Sequence, residues 1–209
     1  MALPKVMLID LLNYLPKEII PKQGAIKILE FYSEKNKLIL KSKHCKKIII
    51  NRYLNLSEKD LIAFGLYLAE GQKFVNLERK IHHTGEISIS YSDLEGLELF
   101  CQLLEKIGIE RNSLKIQIDF NINLKNKISK EGLINYWLNS LNLFKKSLRP
   151  NFRVRYTSKI GQKIRTCTGK YGCLNISFAS TIFRSFFLNF INKLFLDFLN
   201  NKNKDFLIS

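Results

Sequence analysis

Ala63-Phe64-Gly65-Leu66-Tyr67-Leu68-Ala69-Glu70-Gly71 is apolar on every side until its last two residues. A helix of that kind is expected to lie buried all round, not on a surface. Gly65 and Ala69, four residues apart, share one face. Small side chains at that spacing let two helix backbones approach closely. Glu70 stands at the carboxyl end, where the helix dipole disfavours negative charge. A divalent cation, which takes hard oxygen donors, would offset that cost. Gly71 suits a C-cap, and Ser57 with Asp60 marks the start, so the spacing predicts a helix from about 57 to 70. The Glu-Gly pair alone is most simply an ordinary solvated helix end; the whole stretch is more specific than the pair.

Downstream, the pattern predicts strands at about 73–81 and 86–92, then a helix over 94–107 ended by Gly108. A strand over 114–122, a helix over 130–143 carrying Trp137, and strands at 152–158 and 173–178 follow. Ser180 or Thr181 caps a last helix running to about 200. Upstream, residues 1–56 read as a small extension with a hairpin, Lys37 to Lys41 and Lys47 to Asn51 around a basic turn. Whether it is a DNA-contacting arm or a brace for the domain 57–209 is left open.

The strands alternate. Leu114, Ile116, Ile118 and Phe120 oppose Lys115, Gln117, Asp119 and Asn121. Phe152, Val154 and Tyr156 oppose Arg153, Arg155, Thr157 and Lys159, and Ile87, Ile89 and Tyr91 oppose Ser88, Ser90 and Ser92. Period-two alternation puts one set on a core and the other on an open sheet face. Such a face is usually just solvated. Here its Ser, Gln, Asn, Arg and Lys side chains suit base edges and phosphates. The balance of 34 Lys+Arg against 18 Asp+Glu, a formal +16, points the same way, because that much positive charge attracts polyanions.

Several other classes fit less well. Cys45, Cys101, Cys167 and Cys173 form no CxxC pair, and a zinc site joining Cys167 and Cys173 to His82 and His83 has the wrong spacing. Unpaired cysteines suit a reduced, intracellular setting, whether cytoplasm, nucleoid or an organelle matrix. No secretory signal is expected at the N-terminus. The apolar run from Ile182 to Leu199 is interrupted by Arg184, Asn189, Asn192, Lys193 and Asp197, so a buried terminal helix is expected and no membrane span.

Phe64 to Gly71, FGLYLAEG, resembles the signature of the LAGLIDADG homing endonucleases, in the version where Glu replaces the last Asp. The resemblance extends over about 57–200 and includes Tyr171 to Ser180, YGCLNISFAS. It implies an α+β fold: an αββαββα core with an antiparallel DNA-binding sheet, here with one extra strand, an extra helix around Trp137 and the small N-terminal β-containing extension. It implies that Glu70 binds Mg²⁺ or Mn²⁺ helped by the Gly71 carbonyl, and that Gly65, Leu66 and Ala69 line a helix–helix interface. It places Ser92 near a water-orienting position and asks for a basic residue, for which Lys193 or Lys73 are the candidates. DNA contacts would come from Lys73, Arg79, Ser88, Ser90, Lys115, Gln117, Arg153, Arg155, Lys159, Lys163, Arg165 and Lys170.

Cutting both strands needs two acid-ended helices, and the chain holds one. Glu95-Gly96 and Glu131-Gly132 begin helices and follow no matching apolar run. The expected assembly is therefore a homodimer on a roughly palindromic double-stranded DNA site. The alternatives are a catalytically inactive DNA-binding regulator or an RNA maturase on the same fold, and an unrelated basic structural or RNA-associated protein.

Overall fold

The computed structural model describes residues 6–19, 26–71, 85–121, 128–149, 155–157 and 170–206. In chain order these form β1 (Val6–Asp10), β2 (Glu18–Ile19), β3 (Lys27–Ile28), β4 (Glu30–Glu34), β5 (Lys37–Lys41), β6 (Ile48–Asn51) and β7 (Tyr53–Ser57). Then come α1 (Glu58–Glu70), β8 (Glu86–Tyr91), α2 (Leu94–Ile107), β9 (Lys115–Asn121), α3 (Lys130–Ser140), β10 (Arg155–Thr157), β11 (Cys173–Ala179) and α4 (Thr181–Phe206). The protein is α+β and divides into two compact units. Among the described residues, one unit holds 6–58, 85–86 and 180–206, and the other holds 59–71 and 87–179.

In the first unit, β1 pairs with β7, β2 with β3, and β4–β5–β6 form an antiparallel sheet. The expected hairpin is present as β5 and β6, with Leu38, Leu40 and Ile50 fully buried. Strand β4 carries no buried residue, so alternation could not announce it. Asp10 ends β1 and accepts from Leu12 N at 3.0 Å, capping a 3-10 turn over Leu11–Tyr14. The same carboxylate is clamped by Arg52 at 2.8 Å. Helix α4 rests on that turn: Phe190 meets the Tyr14 ring edge-on at 5.0 Å and Asn189 Nδ2 donates to the Tyr14 carbonyl at 2.6 Å. Ser180 caps α4 through Phe183 N at 3.2 Å, and the helix is largely buried as far as Leu194. Among the described residues no helix is long and apolar enough to cross a membrane.

The second unit is a four-stranded sheet in the order β10-β9-β11-β8 with α1, α2 and α3. Helix α2 has the limits its signals predict: Asp93 caps Gly96 N at 2.7 Å, and Gly108 ends the helix with φ 112°. The alternation in β9 is realised, with Leu114, Ile116, Ile118 and Phe120 all fully buried. Two features of this unit differ from expectation. Strand β10 runs parallel to β9, so the sheet is mixed and not wholly antiparallel. A parallel return needs a crossover, and the chain through α3 supplies one. Leu148 already bridges Ile116 in parallel before β10 begins. Helix α3 also stops at Ser140, short of the expected 143, with Asn142 in the left-handed region at φ 47°. Trp137 is anchored by donating Nε1–H to the Tyr171 carbonyl at 3.0 Å. The next residue, Gly172, has φ 76°, and a Cβ there would strike the Asp119 carbonyl. Only glycine takes that backbone conformation without strain.

Ion pairs tie α2 to its neighbours. Lys106 meets the buried Asp60 of α1 at 2.5 Å, and Arg111 holds Glu98, Glu105 and the Leu141 carbonyl. Burial alone would lower the Arg111 pKa, but the bonds from Glu98 and Glu105 together outweigh it and hold the guanidinium charged. Burial pushes the Cys101 thiol up to about 12, which suits a core residue and not a ligand.

Hydrogen bonding to Arg52 holds the Asp10 carboxyl below the usual carboxylate range. A depressed folded pKa stabilises above the unfolded value and ceases to do so as pH falls through the folded one. Asp10→Asn is therefore expected to lower stability at neutral pH, with the difference from wild type shrinking below about pH 4. Urea unfolding across a pH series measures it.

Candidate nucleic-acid interface

Helix α1 has two different sides. Asp60, Ala63, Phe64 and Tyr67, spaced at helical intervals, are buried, and Tyr67 stacks on Phe100 of α2 at 5.7 Å. The opposite side, Ile62, Gly65 and Ala69, faces outward, with Ile62 50% exposed. The expectation of burial on all sides is thus corrected: among the described residues, only one face of this helix is covered. Around the exposed glycine there is open space, since a Cβ on Gly65 would meet nothing within 4 Å. Leu66 lies between the two sides, half-buried, near enough that a Cβ on Gly96 would meet its Cδ1 at 3.1 Å. A glycine in an exposed helix interior costs about 1 kcal/mol relative to alanine, and among the described residues no packing recovers it.

Glu70 is exposed at the end of α1, and among the described residues its carboxylate has no ion pair. Gly71 N donates to the Tyr67 carbonyl at 2.7 Å, and Gly71 forms an antiparallel bridge with Ile89. That bridge brings the acidic end of the helix to the middle of β8, between Ser88 and Ser90. Ile89 is buried, so the two serines lie on the opposite, polar face of the strand.

The polar face continues across the sheet. Asn175 of β11 donates Nδ2–H to Ser90 Oγ at 2.8 Å and stands opposite Gln117 of β9. Cys173 stands opposite Asp119, and Arg155 of β10 faces Asp119 from the other side. Ser177, paired with Lys115, accepts from Arg149 Nη2 at 2.6 Å, and Lys115 Nζ donates to the Lys146 carbonyl at 2.7 Å. The result is a platform of amide and hydroxyl groups with basic side chains at one end. Amides and hydroxyls suit hydrogen bonding to base edges, and Lys and Arg suit phosphates.

Ser88, Ser90, Lys115, Gln117 and the backbone of Arg155 therefore share one sheet, with Glu70 and Gly71 beside it. Ser92 is exposed just beyond β8. Lys170 is exposed next to Tyr171, its Nζ 5.2 Å from that ring's centroid. Lys193 is exposed on α4, in the unit that does not carry α1. Lys73, Arg79, Arg153, Lys159, Lys163 and Arg165, the strand expected at 73–81, and Cys167, His82 and His83 lie outside the described residues. Asn175 and Arg149 were missed by sequence reasoning. Projecting the alternation of Cys173–Ala179, as was done for β9, finds Asn175; Arg149 lies outside any strand and gives no such signal.

For a divalent ion, each chain offers the Glu70 carboxylate and the Gly71 backbone carbonyl, both hard oxygens. Among the described residues no cluster of three or more His, Cys, Asp or Glu side chains stands ready to hold a metal. The donors at α1 thus suit a cation that takes its remaining ligands from water, phosphate or a second chain. No protein-family model matches the chain, and no curated protein or solved structure is significantly similar to it.

Gly71 is sterically required where it stands. A Cβ there would collide with the carbonyl and ring of Tyr67, which itself stacks on Phe100. Gly71→Ala should cost about 1–3 kcal/mol, the usual range for overpacking a well-packed site. A urea melt giving wild-type stability would show that the turn relaxes freely.

Proposed function

We propose that the chain is a single-motif homing endonuclease of the LAGLIDADG type, a homodimer that hydrolyses phosphodiester bonds in a long, pseudo-palindromic duplex DNA site with Mg²⁺ or Mn²⁺. The observation that carries this reading is the outward face of α1: Ile62, Gly65 and Ala69 in a row, ending at the exposed Glu70 beside a polar sheet face. A second copy of the same helix is the natural cover for that face, because a two-fold contact presents the same small-residue stripe from both sides. Such packing sets the two Glu70 carboxylates close to one another.

Glu70 and the Gly71 carbonyl would hold the ion, which when bound supplies Lewis-acid activation of water and neutralises phosphate charge. The chain's own groups do the rest. Ser88, Ser90, Asn175 and Gln117 read base edges; Lys115, Arg149 and Arg155 fix the phosphates. Ser92 is available to orient water. The second reading, a DNA-binding regulator or RNA maturase without cleavage, draws on the catalytic basic residue, which neither Lys193 nor Lys73 fills with an assigned role.

Wild type and Glu70→Gln would be incubated with a randomised duplex library in Mg²⁺ and in Ca²⁺. Selective cleavage by wild type in Mg²⁺ is expected, reduced more than about 100-fold in the variant. Losing an outer-shell partner of a metal ligand already costs about 10–100-fold, and here a ligand is lost. Selective binding without cleavage in either metal would move the protein to the regulator or maturase reading.

Dimerisation is tested apart from chemistry. Gly65→Leu projects into open space in the single chain, so it should leave the monomer folded while blocking the close approach of two α1 helices. Sedimentation should give a dimer for wild type and a monomer for the variant; a variant dimer would place the interface elsewhere.

A further inference from the structure

We propose that the first unit carries a second phosphate-binding surface for duplex DNA, centred on the loop between β5 and β6. This rests on the reading of the protein as one that binds duplex DNA. Lys41-Ser42-Lys43-His44-Cys45-Lys46-Lys47 places four lysines within seven residues, and all four are exposed, as is His44. So dense a run of like charge repels itself, and a polyanion relieves the repulsion.

The loop presents these groups on a fixed frame. Ser42 is buried and donates Oγ–H to the Ile28 carbonyl at 3.0 Å, and Cys45 N donates to the Ser42 carbonyl at 3.0 Å. His44 holds the left-handed conformation that turns the chain, at φ 60°. Strand register then separates the lysines by role. Lys37 and Lys41 pair across the sheet with Glu34 and Glu30, and Lys37 Nζ also bonds Asn51 Oδ1 at 2.6 Å. Lys41 Nζ stands 4.8 Å from the centroid of the Tyr32 ring. Lys43, Lys46 and Lys47 have no acid in register, and among the described residues they form no ion pair.

The chemistry favours phosphates of a duplex over a single strand. Lysine is a point charge without the fork that reads guanine, so the loop contributes affinity and not sequence choice. Single strands are held by rows of aromatic rings. On this sheet face the row is Tyr32–Ile39–Ile49, with one ring, and Lys41 is already stationed at it.

The test is duplex binding by the full chain as a function of KCl, for wild type and a K43Q/K46Q/K47Q variant. The salt slope should become shallower by about 0.9 for each phosphate the variant no longer neutralises, hence by up to about 2.7. The weakening should be equal on selected and random duplexes, because lysines on phosphates carry no sequence information. The melting temperature should not fall, since all three side chains are exposed and their mutual repulsion is removed. Equal slopes in variant and wild type, with wild type binding duplex, would overturn this surface and leave the nuclease reading intact. Absence of duplex binding by wild type would overturn both. Lysine-dependent capture by phosphatidylserine vesicles with an unchanged duplex slope would assign the loop to a membrane surface and overturn the proposal.

Discussion

Helix α1 is apolar on two opposite sides, and among the described residues only one of them is buried. Its buried side locks it to α2 through the Tyr67–Phe100 stack and the Asp60–Lys106 ion pair. Each fully buried aromatic of this size contributes about 1.5–3 kcal/mol, so the anchored side alone holds the helix in place, and the proposed dimer would use the other. The anchoring also fixes where the helix ends. Gly71 must be small because the Tyr67 ring and carbonyl occupy the space a Cβ would need, and its bridge to Ile89 sets the acidic terminus beside β8. The position of Glu70 thus follows from core packing one turn earlier.

The polar sheet face depends on the same core from its other side. Ile87, Ile89, Ile116, Ile118, Phe120, Leu174 and Ile176 are taken up by the interior, so the residues between them turn to the polar face, where Ser177 is itself buried. What lines it is not a generic solvent surface. Asn175 is held by Ser90, and Ser177 by Arg149, so these groups are oriented by neighbours and do not sweep solvent freely. A preorganised set of donors and acceptors loses less entropy on binding than free side chains do.

Much of this was legible in the residues. The limits of α2 were readable because Asp93 and Gly108 are strong end signals and the apolar positions between them keep a helical period. β9 was readable because four buried apolar residues alternate without interruption. Other features were not. The direction of β10 depends on the path through α3, a long-range fact with no local signature. Strand β4 buries nothing, and β2 and β3 are two residues each, too short for any period to register. The motif helix misled in a particular way: composition reports how much apolar surface a helix has, but not whether the cover comes from its own chain. Gly65 and Ala69 are exposed, which composition alone does not report.

Two kinds of polar surface, on two units, differ in what they can do. The sheet of the second unit mixes amides, hydroxyls and a few cations, which suits choosing among sequences. The loop of the first unit is dominated by lysine, which suits holding any duplex. Affinity from phosphate contacts falls steeply with salt, whereas discrimination from a good bidentate base contact is worth about 1–3 kcal/mol each. The proposed function would draw on both, since sequence-independent attraction speeds a search and base contacts stop it. A net charge of +16 that was merely spread over the surface would raise attraction without shaping it. Its partial concentration in one rigid turn, on a unit separate from the polar sheet, is what makes the division physically meaningful.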